Sequence, residues 1–187
     1  MRRNINNIIS VIYTLIRFSL IKLFNFNKFF FHVVERISPN VVIELDRGSR
    51  LTFGKKVRIH SGSKVKARDG AELTICDNAK INYNCVIVSH QSIHIGEGAE
   101  LGPFVLIYDH DHDFRKGLKN KAYKCSPVRI GKNCWIGANT VILRGTIIGD
   151  NSVVGAGSVI KGVYPENSVI YQKRITTTSK FIGEDAD

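Results

Sequence analysis

Residues 130–165 read Ile130-Gly-Lys-Asn-Cys-Trp, Ile136-Gly-Ala-Asn-Thr-Val, Ile142-Leu-Arg-Gly-Thr-Ile, Ile148-Gly-Asp-Asn-Ser-Val, Val154-Gly-Ala-Gly-Ser-Val and Ile160-Lys-Gly-Val-Tyr-Pro. A branched aliphatic opens each unit of six. Glycine often follows it, and a small residue stands four places after the opener until Tyr164 breaks the rule. Self-similarity at a fixed short period is the signature of a solenoid. Three short strands per turn make a triangular coil, with the opener aimed at its centre and the small residue where the interior narrows. Glycine beside the opener is expected to supply backbone angles closed to other residues at a corner. Each repeat then buries its face only against its neighbours.

The same register holds at Ile75, Ile81 and Ile87 and at Ile95, Leu101 and Ile107, and more loosely at Phe53, Ile59 and Val65. Two breaks interrupt it. The spacing stretches to eight between Ile87 and Ile95, through Val88-Ser-His-Gln-Ser. It is lost for far longer between Ile107 and Ile130, where an extended loop over 109–127 opens with Asp109-His-Asp-His-Asp. An irregular polar loop of that length inside a solenoid is usually functional. Cys85 and Cys134 fall in the small-residue slot and Cys76 in the slot where glycine is common, which makes them core or corner residues. Without a Cys-x-x-Cys pair, the four cysteines suggest neither a zinc knuckle nor a redox motif, and free thiols fit a reducing cytoplasm.

Residues 1–38 differ from the rest. Ile5, Ile8, Ile9, Ile12, Leu15, Ile16, Leu20, Leu23 and Phe24 recur at helical spacing, interrupted by Arg17 and Lys22. The interruptions argue against a membrane span. Two roles remain open for this helix: packing on the domain or on an oligomer partner, or lying on anionic lipid as a basic amphipathic segment. The formal net charge of +11 also favours an anionic partner. Nucleic acid is not expected, because the coil shows no aromatics interleaved with basic residues on one face. The reading is therefore an all-β solenoid over 39–170, preceded by an α-helical segment at 1–38 and followed by a tail at 171–187.

The run NCWIGANTVILRGTIIGDNSVVGAGSVI, together with INYNCVIVSHQSIHIGEGAELGPFVLIYDHDHDF, resembles the hexapeptide-repeat acyltransferases. The similarity is to the branch containing the maltose, galactoside and nodulation O-acetyltransferases and the capsular and exopolysaccharide enzymes. That resemblance implies a left-handed parallel β-helix, since the period itself carries no handedness. It also implies a homotrimer with sites between subunits, and acetyl-CoA as donor to a hydroxyl of a sugar in surface polysaccharide or glycolipid synthesis, with no metal.

Carried over residue by residue, His112 takes the general-base position, counted without a gap from Gly96. A neutral imidazole there could accept the proton of an attacking hydroxyl. Asn82, His90 and His110 fall on the acceptor side; His90 stands where sugar acetyltransferases have a carboxylate, so simple maltose or galactoside acceptors are disfavoured against a polymer or lipid-linked sugar. Trp135, Ala138 and Ala156 match positions beside coenzyme A, the Ala138 N–H being the expected oxyanion donor. Lys161, Lys173 and Arg174 are the candidate phosphate ligands, although the family's Gly-x-Pro-Ala-Lys tail is missing. A glutamate that relatives place in the extended loop is replaced by the stretch Lys119-Asn-Lys121. Two other classes stay open. His90, His94, His110 and His112 make a zinc enzyme of the γ-carbonic anhydrase type conceivable, and a membrane-bound scaffold without catalysis is the second. The expected location is cytoplasmic, with peripheral contact at the inner face of the membrane.

Overall fold

In the computed structural model, which describes residues 2–32, 35–116, 122–173 and 175–178, the coil is a parallel β-helix preceded by α1 (Arg2–Phe24). Its short strands stack into three parallel sheets of seven, seven and six strands. Sheet one runs from Phe29–Phe30 through Arg50–Phe53 to Val163–Tyr164, sheet two from Arg36–Ile37 to Val169–Ile170, and sheet three from Val42–Leu45 to Val159–Ile160. The openers stack in register, Phe53 on Ile75, Ile75 on Ile95, Ile95 on Ile130 and Ile130 on Ile148 in sheet one. Nearly all are buried and share one continuous core. The small-residue slot is equally dry: Cys85, Cys134, Thr140, Thr146, Ser152 and Ser158 are all buried. Their hydroxyls and thiols donate to turn carbonyls, as Thr140 does to Gly137 at 2.7 Å and Cys134 to Gly149 at 3.1 Å.

The role expected for glycine beside the opener is corrected. The left-handed backbone sits two residues later, at Asn78, Asn84, Asn133, Asn139 and Asn151, with φ of 51–60°. Asparagine tolerates that region better than most residues. Glycine next to the opener is there because the next coil presses on it: a Cβ on Gly137 would lie 2.5 Å from the Ala156 nitrogen, and one on Gly102 would lie 2.7 Å from that of Ala138.

Two of the prism's three edges never change. From sheet one to two, and from two to three, successive openers are six residues apart in every coil, as in Ile75–Ile81–Ile87 and Ile130–Ile136–Ile142. The third edge tapers. It takes ten residues from Val65 to Ile75, eight from Ile87 to Ile95, six from Ile142 to Ile148 and four from Ile160 to Tyr164. The 109–127 insertion leaves from this edge.

The coil begins earlier than the sequence pattern indicates, because the strands Phe29–Phe30 and Arg36–Ile37 lie inside the segment read as an appended helix. Helix α1 closes this end. Phe18 enters the core edge-on to Phe29 at 5.0 Å and stacks on Phe53 at 5.3 Å. Thr14 Oγ1 accepts from the Ile37 N–H at 3.1 Å and lies 3.0 Å from its carbonyl, covering the open edge of sheet two. Arg17 donates to the Val41 carbonyl at 2.8 Å and Lys22 to that of Phe29 at 2.8 Å. The aliphatic row read from the sequence therefore faces outward: Ile8, Ile12, Ile16, Leu20 and Leu23 are 54–72 % exposed. Among the described residues, no helix is long and apolar enough to cross a membrane.

Candidate active site

Where the chain leaves sheet three after Tyr108, Asp109 turns inward against the corner of the preceding coil. Its carboxylate is fully buried and accepts four hydrogen bonds. Ser89 Oγ, His90 N–H and Gln91 N–H donate at 2.8 Å each, and His110 Nδ1 lies at 3.2 Å. Burial alone would raise the pKa of this acid, but these donors hold it below the usual carboxylate range. Asp109 was not singled out by the sequence motif; it is the anchor of the third edge.

On that anchor stands a two-stranded antiparallel hairpin, His110–His112 paired with Tyr123–Cys125. Residues two apart on a strand share a face, so His110 and His112 both meet Tyr123, with ring centroids at 5.3 and 4.8 Å. His90 completes the stack, 3.9 Å from His110 and 4.2 Å from Tyr123. Burial first, then the neighbouring His110, lowers the pKa of His90, which favours its neutral form. Of the three imidazoles, His112 is the exposed one. Arg144, from the following coil, pairs with Asp111 and reaches Ser126 Oγ at 3.3 Å, tying the hairpin to the body. His94 lies elsewhere, on sheet one beside Cys76 Sγ at 3.6 Å.

The other predicted residues gather on sheet two and the second edge. Asn82 and Trp135 line one hollow of about 120 Å³ with Arg58, His60, Lys80 and Glu100. Trp135 is 55 % exposed, so corner packing does not account for it. Along the second edge Gly102 presses on Ala138 and Gly137 on Ala156. The N–H groups of Ala138 and Ala156 donate to no acceptor among the described residues, which leaves a backbone track free for a ligand. Lys161 is exposed on the third edge, apart from that track, and Lys173 is exposed beyond the last strand. Arg174 and the stretch 119–121 lie outside the described residues. Within one chain the imidazole group and the Asn82–Trp135 hollow thus occupy different edges, flanking sheet three.

A triangular parallel coil of six-residue units with a polar hairpin at one edge defines a class, and the chain is similar to the hexapeptide-repeat proteins. Residues 127–161 match the family model described as the hexapeptide repeat of succinyl-transferase. Among curated proteins, the chain is 35% identical over 104 residues to the putative lipopolysaccharide biosynthesis O-acetyl transferase WbbJ of Escherichia coli, covering 50% of this chain and 53% of that protein. It is 40% identical over 74 residues to nodulation protein L of Rhizobium meliloti, covering 39% and 40%. The chain thus spans about half or less of the length of these relatives. In fold it superposes on AntD, an N-acyltransferase from Bacillus cereus solved with dTDP and 3-hydroxybutyryl-CoA, with a TM-score of 0.64 at 20% identity, covering 78% of this chain and 79% of that one. These relatives do not favour the zinc-enzyme or scaffold readings.

Proposed function

We propose that the chain is an acetyl-CoA-dependent O-acetyltransferase acting on a sugar hydroxyl, in surface polysaccharide or glycolipid synthesis. The observation that carries it is the division of labour between edges: an exposed imidazole on an anchored hairpin at one, and a free backbone N–H track beside an exposed tryptophan at another. A homotrimer is part of the proposal, and the same division supports it, since one chain's hairpin would meet the other group on a neighbour. The pantetheine arm would run along Ala138 and Ala156, and Lys161, Lys173 and Arg174 would supply charge for the phosphates.

In the reaction, His112 accepts the acceptor's hydroxyl proton as its oxygen attacks the thioester carbonyl carbon. The Ala138 N–H stabilises the tetrahedral oxyanion. The C–S bond then breaks, the acetyl group stays on the acceptor oxygen, and the imidazolium returns the proton to the leaving thiolate. Asn82 and His90 hold the acceptor. A second reading exchanges the two histidines, because the Asp109 carboxylate orients His110 as the third group of a catalytic triad orients its base. Peripheral membrane contact through α1 is part of the proposal, supported by the outward aliphatic row and by Lys28 beside the helix end.

The test is acceptor-dependent release of free thiol from acetyl-CoA, with mass spectrometry of the product. Binding of acetyl-CoA without acetylation of any glycolipid or sugar polymer tried, or no binding at all, would overturn the proposal.

A further inference from the structure

The outward positions of sheet two carry Arg36, Arg58 and Lys80 on successive strands in direct register, followed by Glu100 and Trp135. Adjacent strands lie about 4.8 Å apart, and like charges directly opposite one another are destabilising. Lys80 has Glu100 as its ion-pair partner. Arg36 and Arg58 have none among the described residues, and Arg58 Nε is buried without a hydrogen-bond partner. Lys56 adds a further cation beside them, in a groove of about 270 Å³. Burial, then the Arg58 charge, holds the neighbouring His60 below its ordinary pKa. A folded chain that stacks two arginines without a counter-charge and leaves the Arg58 Nε donor idle is shaped for an anion.

The row has two ends, and they differ. At one end Arg58 and Lys80 enter the hollow of Asn82 and Trp135. At the other, Arg36 borders an apolar groove of about 320 Å³ formed by Ile8, Val11 and Ile12 of α1. Apolar surface, cations and the acceptor hollow therefore follow one another along a single face. We propose that this face binds a sugar joined through a phosphate or diphosphate to an apolar chain. The lipid would lie on α1, the phosphates on Arg36 and Arg58, and the sugar at Asn82. The inference rests on the acetyl-transfer reading only for the role of the sugar as acceptor; the binding of the lipid phosphate stands apart from it.

The test uses the full chain and three probes: farnesyl diphosphate, inorganic pyrophosphate and farnesol, followed through the fluorescence of Trp135, the sole tryptophan. Farnesyl diphosphate is expected to bind at least about tenfold more tightly than either of the others, and less tightly as salt is added. Arg58→Gln should weaken it by at least about tenfold, while Ile12→Ser should weaken farnesyl diphosphate but not pyrophosphate. The melting temperature of Arg58→Gln should not fall, because a repulsion has been removed. Equal affinity for pyrophosphate and farnesyl diphosphate would overturn the lipid assignment and favour a nucleotide-linked sugar. Affinity unchanged in Arg58→Gln would reduce the row to a solvated face. Acetyl-CoA binding is measured separately: its absence alongside tight farnesyl diphosphate binding would sink the transferase reading and leave this site standing.

Discussion

The first two edges of the prism and the third obey different rules. The first two are held to six residues per step by contact: glycine beside most openers touches the next coil, and a left-handed residue, Asn or Gly except at Lys56 and Phe104, turns the chain. Any insertion there would lift one coil off the next. The third edge is stacked less closely, a Cβ on Gly48 lying 3.7 Å from Gly70, so its length drifts from ten residues to four and it can extrude a hairpin. Rigid edges can offer backbone N–H groups at fixed positions, and a free edge can carry a side chain out to a neighbouring subunit. Catalysis that needs both would be built across two chains.

The largest effect expected from breaking that contrast is chemical. His112→Ala should lower kcat by at least about 10²-fold with acetyl-CoA binding nearly intact, because a base acts on the transition state. If His110→Ala is the crippling change and His112→Ala mild, the base is the histidine bonded to Asp109. Steady-state kinetics with titrated acetyl-CoA separates the two.

A second effect comes from the one place where a constant edge breaks its own rule. The small-residue slot occupied by Val57 and Ala79 in later coils holds Glu35 in the first. Its Oε1 accepts from the His32 N–H at 2.7 Å, while Oε2 is buried without a partner among the described residues. Burial pushes its pKa up from 4.5 to about 8. The folded chain therefore keeps a proton that the unfolded chain gives up above about pH 4.5. Stability should fall as pH rises from about 4.5 towards 8, by up to about 1.4 kcal/mol per pH unit, and level off beyond. Chemical denaturation across that range should show the slope in the parent and a flatter profile in Glu35→Gln. An equal slope in both would place the titration elsewhere.

Gly137→Ala tests the stacking itself. The added Cβ would meet the Ala156 backbone at 2.5 Å, so the second edge must open. A loss of about 1–3 kcal/mol is expected, as for other overpacked sites, along with weaker acetyl-CoA binding. Gly145, on the third edge, has its nearest neighbour for such a Cβ at 3.4 Å, but its φ of 77° makes alanine strained there as well. Inserting two residues after Arg144 is the cleaner control, and should cost less than the same insertion after Ala138.

The contrast also explains what could be read from sequence. Six-residue spacing was legible because the openers are nearly all Ile, Val or Leu with few substitutes, and each must fill the same hole. The third edge announced itself only as lost register. Within Asp109-His-Asp-His-Asp, nothing in residue type distinguishes the buried Asp109 from the exposed Asp111; that depends on where the chain leaves sheet three. Asn82 and Trp135 were visible through resemblance, whereas the Arg36–Arg58–Lys80 row was not, since its members are 22 residues apart and join only through strand register. The first coil was hidden as well, because Phe29 and Phe31 continue the apolar run of the helix before them.

The outward face of helix α1 carries the smallest expected effect on stability, and the helix gives the sharpest test of what covers the end of the coil. Its apolar residues run around most of the surface, so spacing alone left open whether the wider stripe packs or lies on lipid. Phe18 fills the opening of the first coil, with Thr14 and Ile21 beside it, and this turns Ile16 and Leu20 outward. Replacing Ile16 and Leu20 by Ser should therefore change unfolding free energy by no more than about 0.5 kcal/mol per site, as for other exposed positions. Phe18→Ala, which empties the opening, should cost about 3–5 kcal/mol. If the outward face lies on lipid, the parent should sediment with anionic vesicles and the double Ser variant should not. Added salt should weaken sedimentation only partly, because Arg17 and Lys22 are already engaged with carbonyls and the contact is mainly apolar. If the double variant instead changes oligomeric state and vesicle binding is absent in both, that row packs against another copy of the chain, and α1 belongs to the assembly.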